Sequence, residues 1–118
     1  MSFESDLYAA LGALVSNRVY PDIAPQGATL PCVVYQQIGG QAFAFLESAM
    51  PSKKAALVQV RTWAATRLAA NALARLIEDT LVESTTLRGE AVSAFIADID
   101  IELQRFGTIQ DFRFVFPD

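Results

Sequence analysis

The hydrophobic pattern changes period near the middle of the chain, between residues 57 and 82. Residues 57–63 are rich in β-branched side chains and predict a strand. From Thr66 onward the apolar residues recur at helical spacing, and the Thr66 hydroxyl is placed to cap the first turn. The apolar face predicted for this helix consists of Leu68, Ala69, Ala72, Leu73, Leu76, Ile77 and Leu81. Only Ala64 and Ala65 separate the two elements, so we expect the helix to fold back on the sheet.

The first part of the chain predicts a helix, a long connection and a strand. The helix carries an apolar stripe made of Leu7, Leu11, Leu14 and Val15. It is expected to begin within residues 2–5 and to end at residues 16–17. Three prolines and a glycine in residues 18–31 indicate a connection that packs on the domain. Residues 32–38 predict a strand, in which Cys32 is a small buried hydrophobe rather than a reactive thiol.

The stretch after this strand is the least regular part of the sequence. Gly39–Gly40 predicts the end of the strand, and Pro51 closes the stretch before the central strand begins. Between them the sequence alternates, with Phe43 and Phe45 on one side. We interpret residues 39–55 as a long arm that leads into the central strand, either an extended hairpin or a loop that is mobile in the free subunit. Two roles stay open for the phenylalanines: completion of the subunit's own core, or contact with a neighbouring subunit.

The C-terminal part predicts two further strands. Residues 95–104 alternate most cleanly, and they predict a strand with one dry and one wet face. The dry face holds Phe95, Ala97, Ile99, Ile101 and Leu103, and the wet face holds Ile96, Asp98, Asp100, Glu102 and Gln104. After a turn region at Gly107–Thr108, the last strand repeats the pattern. Its inward residues are expected to be Phe112, Phe114 and Phe116.

These elements predict an α+β fold formed by a single domain, residues 1–118. Their order is helix, two strands, helix and two strands (α-β-β-α-β-β). The two hairpins would share one antiparallel or mixed four-stranded sheet, with both helices packed on one face. We expect one continuous core composed of Val60, Leu73, Leu76, Ile77, Ile99, Ile101, Phe112 and Phe114.

The composition fits either an assembly surface or a dry, alanine-rich core. Of the 118 residues, 53% are hydrophobic, and the mean hydropathy is +0.30. No apolar run reaches the roughly 18 to 20 residues that a membrane helix needs, and the N-terminus lacks the pattern of an export signal. No membrane partner is therefore expected. The excess apolar surface can lie in a subunit interface or in the core, and both interpretations stay open.

Charge and missing residue types exclude several classes of function. The net charge of −4, without a basic block, argues against sequence-specific nucleic-acid binding. The chain has no histidine, which removes Ser-His-Asp and Cys-His catalysis and the usual zinc sites. Its single cysteine forms no intrachain disulfide and fits a reduced, intracellular site of synthesis. We therefore expect no catalytic residues, no cofactor and no metal.

The acidic residues Asp98, Asp100 and Glu102 offer the best rival chemistry. Alternate residues on one face of a strand lie about 6.5 to 7 Å apart, and nucleases use clustered carboxylates to hold Mg²⁺. A small metal-dependent nuclease or hydrolase is therefore an alternative function. The same pattern is typical of a solvent-facing strand whose charge nearby arginines offset. The arginines that could offset it are Arg61, Arg105 and Arg113.

Several stretches, taken in order, carry a resemblance to a known family. They are Arg18–Pro21, Ala24–Gly27, Leu30–Tyr35, Val58–Ala64 and Asp111–Phe114. Together they resemble the tail-completion, or tail-terminator, proteins of long-tailed (siphovirus-type) bacteriophages and prophages, formerly a domain of unknown function. The resemblance covers nearly the whole chain. This sequence has Cys32 where the family commonly has an aromatic residue, and Arg61 where it commonly has an acidic one.

The resemblance implies a non-enzymatic structural protein of virion assembly. Family members form a ring, typically a hexameric homo-oligomer, that caps the tail tube, terminates tail growth and mediates head-tail joining. The expected partners are other copies of the chain, the tail-tube protein and the head-connector protein, and the chain can be monomeric before assembly. Its expected location is the host bacterial cytoplasm during assembly and the virion tail afterwards.

We expect the subunit interface to combine the arm with the acidic strand. The candidate interface residues are Phe43, Phe45, Leu46, Met50, Arg61, Asp98, Asp100 and Glu102. A third function stays open, that of an adaptor that binds an extended peptide by adding it to a strand edge. Metal-dependent DNA cleavage would favour the nuclease, and a stable monomer that binds an extended peptide would favour the adaptor.

Overall fold

The computed structural model describes residues 3–42 and 53–117, which form two helices and a six-stranded sheet. In chain order the elements are α1 (Phe3–Gly12), β1 (Val19–Pro21), β2 (Cys32–Ala42), β3 (Lys53–Ala64), α2 (Arg67–Glu83), β4 (Glu90–Ala91), β5 (Ile96–Asp100) and β6 (Arg105–Pro117). The predicted α+β class is confirmed. The predicted four-stranded sheet is wrong, because the short strands β1 and β4 extend it.

The sheet is mixed, and its strand order is β1-β2-β3-β6-β4. Strand β5 also pairs with β6, along residues 105–109, whereas β4 pairs with residues 112–113. Strands β2, β3 and β6 are long and antiparallel, whereas β1 runs parallel to β2. At one end of the sheet Ala42 pairs with Lys54, and we call this the arm end. At the other end Ala64 pairs with Phe106, which lies beside β5, and we call this the β5 end.

Helix α2 begins as predicted. The Thr66 hydroxyl accepts a hydrogen bond from the Ala69 N–H at 3.1 Å, which satisfies one free donor of the first turn. The buried stripe, however, consists of Ala70, Leu73, Ala74, Ile77 and Leu81. The predicted members Leu68, Ala69, Ala72 and Leu76 are exposed.

The error concerns the rotation of α2 about its axis. Alanines lie on several sides of the helix and are all small, so they carry little information about which side faces the sheet. The Arg67 side chain supplies that information, because it donates hydrogen bonds to the carbonyl oxygens of Gly107 and Asp98. Successive residues lie about 100° apart around a helix. With Arg67 turned to the sheet, Leu68 points into solvent and is 82% exposed.

Both helices pack on one face of the sheet, as predicted. Their buried leucines and isoleucine join side chains of β2, β3 and β6 in one cluster, in which Phe112 and Phe114 are the largest fully buried side chains. The cluster confirms the predicted core residues Val60, Leu73, Ile77, Phe112 and Phe114. It does not contain Leu76, Ile99 or Ile101, which are exposed, and their assignment to the core is wrong.

A smaller cluster lies on the opposite face of the sheet. It consists of Cys32, Val34 and Trp63, and the segment after β1 covers it with side chains that include Leu30. The buried position of Cys32 agrees with the prediction of a small hydrophobe. Burial also raises the pKa of the Cys32 thiol, so little reactive thiolate forms near neutral pH.

Strand β2 does not end at the two glycines. It continues to Ala42, and its register against β3 shifts between Gln37 and Gly39. Gly40 has φ 149° and lies against the Ala55 carbonyl oxygen, where a side chain would collide. Gly40 therefore lets the two strands approach closely, and the glycine pair does not interrupt β2. The ends of the predicted arm at residues 39–55 belong to β2 and β3, and residues 43–52 lie outside the described residues.

Helix α1 ends earlier than the sequence predicts. It stops at Gly12, and the following turn places Ser16 and Asn17 at positive φ, with the Asn17 N–H donating to the Gly12 carbonyl oxygen. Among the described residues, neither helix is long and apolar enough to cross a membrane.

Candidate assembly surface

Strand β5 exposes the face that was predicted to be dry. Ile99 is 52% exposed, and Ile101 and Leu103, in the turn after the strand, are 79% and 59% exposed. Ile96, on the other face, is also exposed, whereas Asp98 and Asp100 are half-buried. The prediction of a dry face is wrong for Ala97, Ile99, Ile101 and Leu103, whereas Glu102 and Gln104 of the predicted wet face are exposed.

The position of β5 explains this exposure. Strand β5 pairs with β6 on one side, and its other side is an open edge within the part of the chain that the structure describes. Helix α2 packs mainly on β3, β4 and β6, so the helix layer does not cover the isoleucines. An open edge with exposed branched side chains is a template for pairing with another chain, which proteins normally avoid unless it is used.

The two aspartates of β5 are held by arginines and by the backbone. An Asp98 carboxylate oxygen lies 3.7 Å from an Arg61 guanidinium nitrogen, and the other accepts from the Ile99 N–H at 2.9 Å. Asp100 accepts from Arg105 Nε at 3.3 Å and from the Leu103 N–H at 3.2 Å. The carboxylates therefore serve mainly to fix the strand and the turn that follows it.

This arrangement does not assemble a carboxylate cluster. Strand β5 ends at Asp100, and Glu102 lies in the turn, so the predicted row of three acidic residues along one strand is wrong. Among the described residues, no group of three or more acidic or cysteine side chains is arranged to hold a metal ion. Three arginines were expected to offset the negative charge, and two of them, Arg61 and Arg105, contact the aspartates.

A groove lies on the face of the sheet away from the helices, at the β5 end. Its volume is about 470 Å³, and its lining includes residues 22–27 and Leu103. Val34, Trp63 and the two arginines, Arg61 and Arg105, also line it. The Arg105 guanidinium stacks 4.2 Å from the centre of the Trp63 ring, a cation–π contact that orients the arginine.

Two exposed apolar residues line the groove. Ile23 is 79% exposed and Leu103 is 59% exposed. Leu103 also follows Ile101 in the β5 turn, so the groove adjoins the exposed apolar residues of that turn. We define the assembly surface as this set of exposed apolar residues at the β5 end: Ile23, Ile96, Ile99, Ile101 and Leu103.

Sequence reasoning missed this groove. Its residues come from four separate segments, near residues 22–27, 34–36, 61–63 and 103–105, and no single segment carries a recognisable pattern. The turn residues of the first segment were identified only as a packed connection. The one available signal was the oversupply of apolar residues, which indicates an interface without locating it.

A hydrogen bond ties helix α1 to the sheet. The Tyr35 hydroxyl of β2 donates to a Glu4 carboxylate oxygen at 2.9 Å. Burial, and then the hydrogen bond and negative charge of Glu4, raise the pKa of Tyr35 to about 12. The neutral phenol is therefore favoured in the folded chain.

The candidate interface residues fall at the two ends of the sheet. Arg61, Asp98 and Asp100 lie together at the β5 end, with Glu102 in the adjoining turn. Phe43, Phe45, Leu46 and Met50 lie outside the described residues, in the segment that leaves β2 and enters β3 at the arm end.

Comparisons with known proteins identify relatives of this chain. The model of the family described as tail completion protein gp17 matches residues 6–117. Among solved structures, a chain of the virion of a native gene transfer agent particle matches with a TM-score of 0.59 and 19% identity, covering 95% of this chain and 92% of that chain. At that identity the likeness shows a shared fold. A comparison with curated protein sequences finds no match.

Proposed function

The chain belongs to the family described as tail completion protein gp17, and from this premise we propose that it forms a ring that caps the tail tube, terminates tail growth and joins the tail to the head. Family membership makes the chain a structural protein of a bacteriophage tail. The ring, its closure of the tube and the joining to the head are the proposed steps. The proposed partners are other copies of the chain, the tail-tube protein and a head-connector protein.

The exposed assembly surface is the observation that supports self-association. Burial of an exposed isoleucine side chain contributes roughly 1.5 to 3 kcal/mol, so leaving several of them in water forfeits a sizeable free energy. The surface adjoins an open strand edge, which adds main-chain donors and acceptors to it. A second protein chain can bury the apolar side chains and form hydrogen bonds with the open strand edge.

The two edges of the sheet favour a head-to-tail arrangement. One edge is formed by β4 and β5, and the other by β1 with the part of β2 beyond Tyr35. Because the edges differ, a contact between them is heterologous, and repeated copies close into a ring when the rotation per contact permits. Such a ring can form in the host cytoplasm and remain in the virion tail.

The proposed interface has two contributions. The β5 end supplies Arg61, Asp98, Asp100 and Glu102, which we assign to a charged rim of the interface. The arm supplies Phe43, Phe45, Leu46 and Met50. Charged rims of this kind select the correct partner more than they add affinity, whereas the apolar residues supply most of the binding free energy.

Electron microscopy of assembled tails tests this function. Tails made with the native chain are expected to have uniform length and to attach to heads, whereas Ile99→Ser with Ile101→Ser should give overlong tails without heads. The matched control is Val82→Ser on α2, an exposed apolar residue outside the assembly surface, and it should leave tails normal. Normal tails from the double variant would reject this surface. A protein that never localises to tails would reject the function.

A further inference from the structure

We propose that the groove at the β5 end is the docking site for residues 43–52 of a second copy of the chain. This inference rests on the proposed self-association and names the site that carries it. The donor segment leaves the sheet at one end and the acceptor groove lies at the other, so one subunit presents both halves of a head-to-tail contact.

The segment is too short to reach the groove of its own chain. Residues 43–52 comprise ten residues that leave from β2 and return to β3 at the arm end. Half of that length spans at most roughly 17 Å at 3.3 Å per residue. Ala42 is separated from Val34 by eight residues of strand, or roughly 26 Å, and Lys53 is as far from Arg61. The segment therefore falls short of its own groove by roughly a third of the distance.

The chemistry of the segment matches that of the groove. Its sequence holds Phe43, Phe45, Leu46 and Met50, and its single charged residue is Glu47. The groove offers the apolar side chains of Ile23 and Leu103 and the two guanidinium groups of Arg61 and Arg105. A volume of about 470 Å³ lies within the range of roughly 300 to 1,000 Å³ that holds a drug-sized ligand, and therefore accommodates more than one side chain of the segment.

The position of Trp63 provides a direct probe. Trp63 is the only tryptophan of the chain, and it lies in the groove. Its fluorescence therefore reports on the groove without an added label. The host protein for the measurement is the full chain with Phe43→Ser and Phe45→Ser, so that the segments of other copies do not compete for the groove.

The test adds a synthetic peptide with the sequence of residues 41–52 to this host. We expect a saturable change in Trp63 emission, and no change with a peptide in which both phenylalanines are serine. Ile23→Asp in the host should weaken binding at least about tenfold, because one apolar contact is lost and a charge is added. Leu68→Asp is the matched control, since Leu68 is equally exposed on α2, and it should leave the affinity unchanged.

Cross-linking identifies which chain supplies the segment. One copy carries Ser48→Cys in the segment, and another carries Gln26→Cys at the groove; the buried Cys32 does not compete. Oxidation of the mixture should give a disulfide-linked pair of the two copies, whereas the chain with both substitutions should give a ladder of multimers.

The outcomes separate this inference from the proposed function. No emission change, an equal affinity in Ile23→Asp, or an intrachain disulfide in the doubly substituted chain would overturn the docking site, even where rings still form on tails. In another outcome the peptide binds and the copies cross-link, but Ile23→Asp leaves tail length unchanged. That outcome would uphold the docking site and count against the proposed function.

Discussion

Strands β5 and β6 are hydrogen-bonded neighbours that both alternate apolar and polar residues, yet only β6 lies under the helices. Phe112 and Phe114 of β6 are fully buried, whereas Ile99 of β5 is more than half exposed. The side chains are similarly apolar, so the difference arises from what covers each strand. An alternating pattern marks an apolar face, and only the tertiary arrangement decides whether its own chain or another chain covers it.

Truncation of a core side chain of β6 should have the largest effect on the free energy of unfolding. Phe112→Ala is expected to lower the free energy of unfolding by about 3 to 5 kcal/mol, because it leaves a cavity beneath both helices. Urea unfolding measures this loss directly. A loss below about 1 kcal/mol would mean that the helices do not pack on β6 as described.

Alkaline pH should weaken the attachment of α1 to the covered side of the sheet. The pKa of Tyr35 is about 12 in the folded chain and about 10 when unfolded. The neutral phenol therefore contributes its full stability below pH 10, and the contribution is lost as the pH rises from about 10 toward 12. Denaturant unfolding at several pH values should show this loss in the native chain.

Tyr35→Phe is the control for that pH dependence, because it keeps the ring and removes the ionising group. The variant should lose less stability than the native chain between about pH 10 and 12. Identical pH profiles for the two chains would mean that burial and the Glu4 hydrogen bond do not raise the pKa of Tyr35 in the folded chain.

A smaller effect is expected at the charged end of β5. Asp100→Ala removes the contact with Arg105 and a hydrogen bond to the turn, and should cost about 1 kcal/mol or less, since the pair is partly exposed. Thermal unfolding at low and high salt measures it, and salt should reduce the difference between the two chains. A loss as large as that of Phe112→Ala would place Asp100 in a structural role that the geometry does not indicate.

The smallest effect should be that of Ile99→Ala on the isolated subunit. The side chain is largely in water, so we expect a change within about 0.5 kcal/mol, measured by urea unfolding at concentrations that keep the chain monomeric. A core position, which the alternating pattern predicted for Ile99, would instead give a loss of about 2 to 5 kcal/mol. A loss of that size would restore Ile99 to the core.

The parts of the fold that local pattern determines were predictable from the sequence. The Thr66 cap, helix α2 and strand β3 follow from spacing within one segment, and so does the second half of β6. The prediction of a turn at Gly107–Thr108 is wrong, because both residues lie within β6 and pair with β3. Strands β1 and β4 were missed because two or three residues carry no periodicity, and their pairing depends on segments distant in the chain. The rotation of α2 was misjudged because the Arg67 hydrogen bonds that fix it are tertiary.

The assembly surface shows the same limit. The candidate residues Arg61, Asp98 and Asp100 were identified and do lie together, because charged residues on an alternating strand stand out. The groove beside them was not predictable, since no local pattern joins Ile23, Trp63 and Leu103. Prediction of the exposed side of β5 required the position of the helix layer, which no single segment specifies.

Light scattering across a concentration series tests most directly whether the exposed β5 end is a self-association surface. The native chain should reach a mass that is a fixed multiple of its 12.8 kDa. The Ile99→Ser, Ile101→Ser chain should remain at the mass of one subunit, with an unchanged circular dichroism spectrum. Equal masses for the two chains over the whole series would contradict the assignment of this surface to assembly.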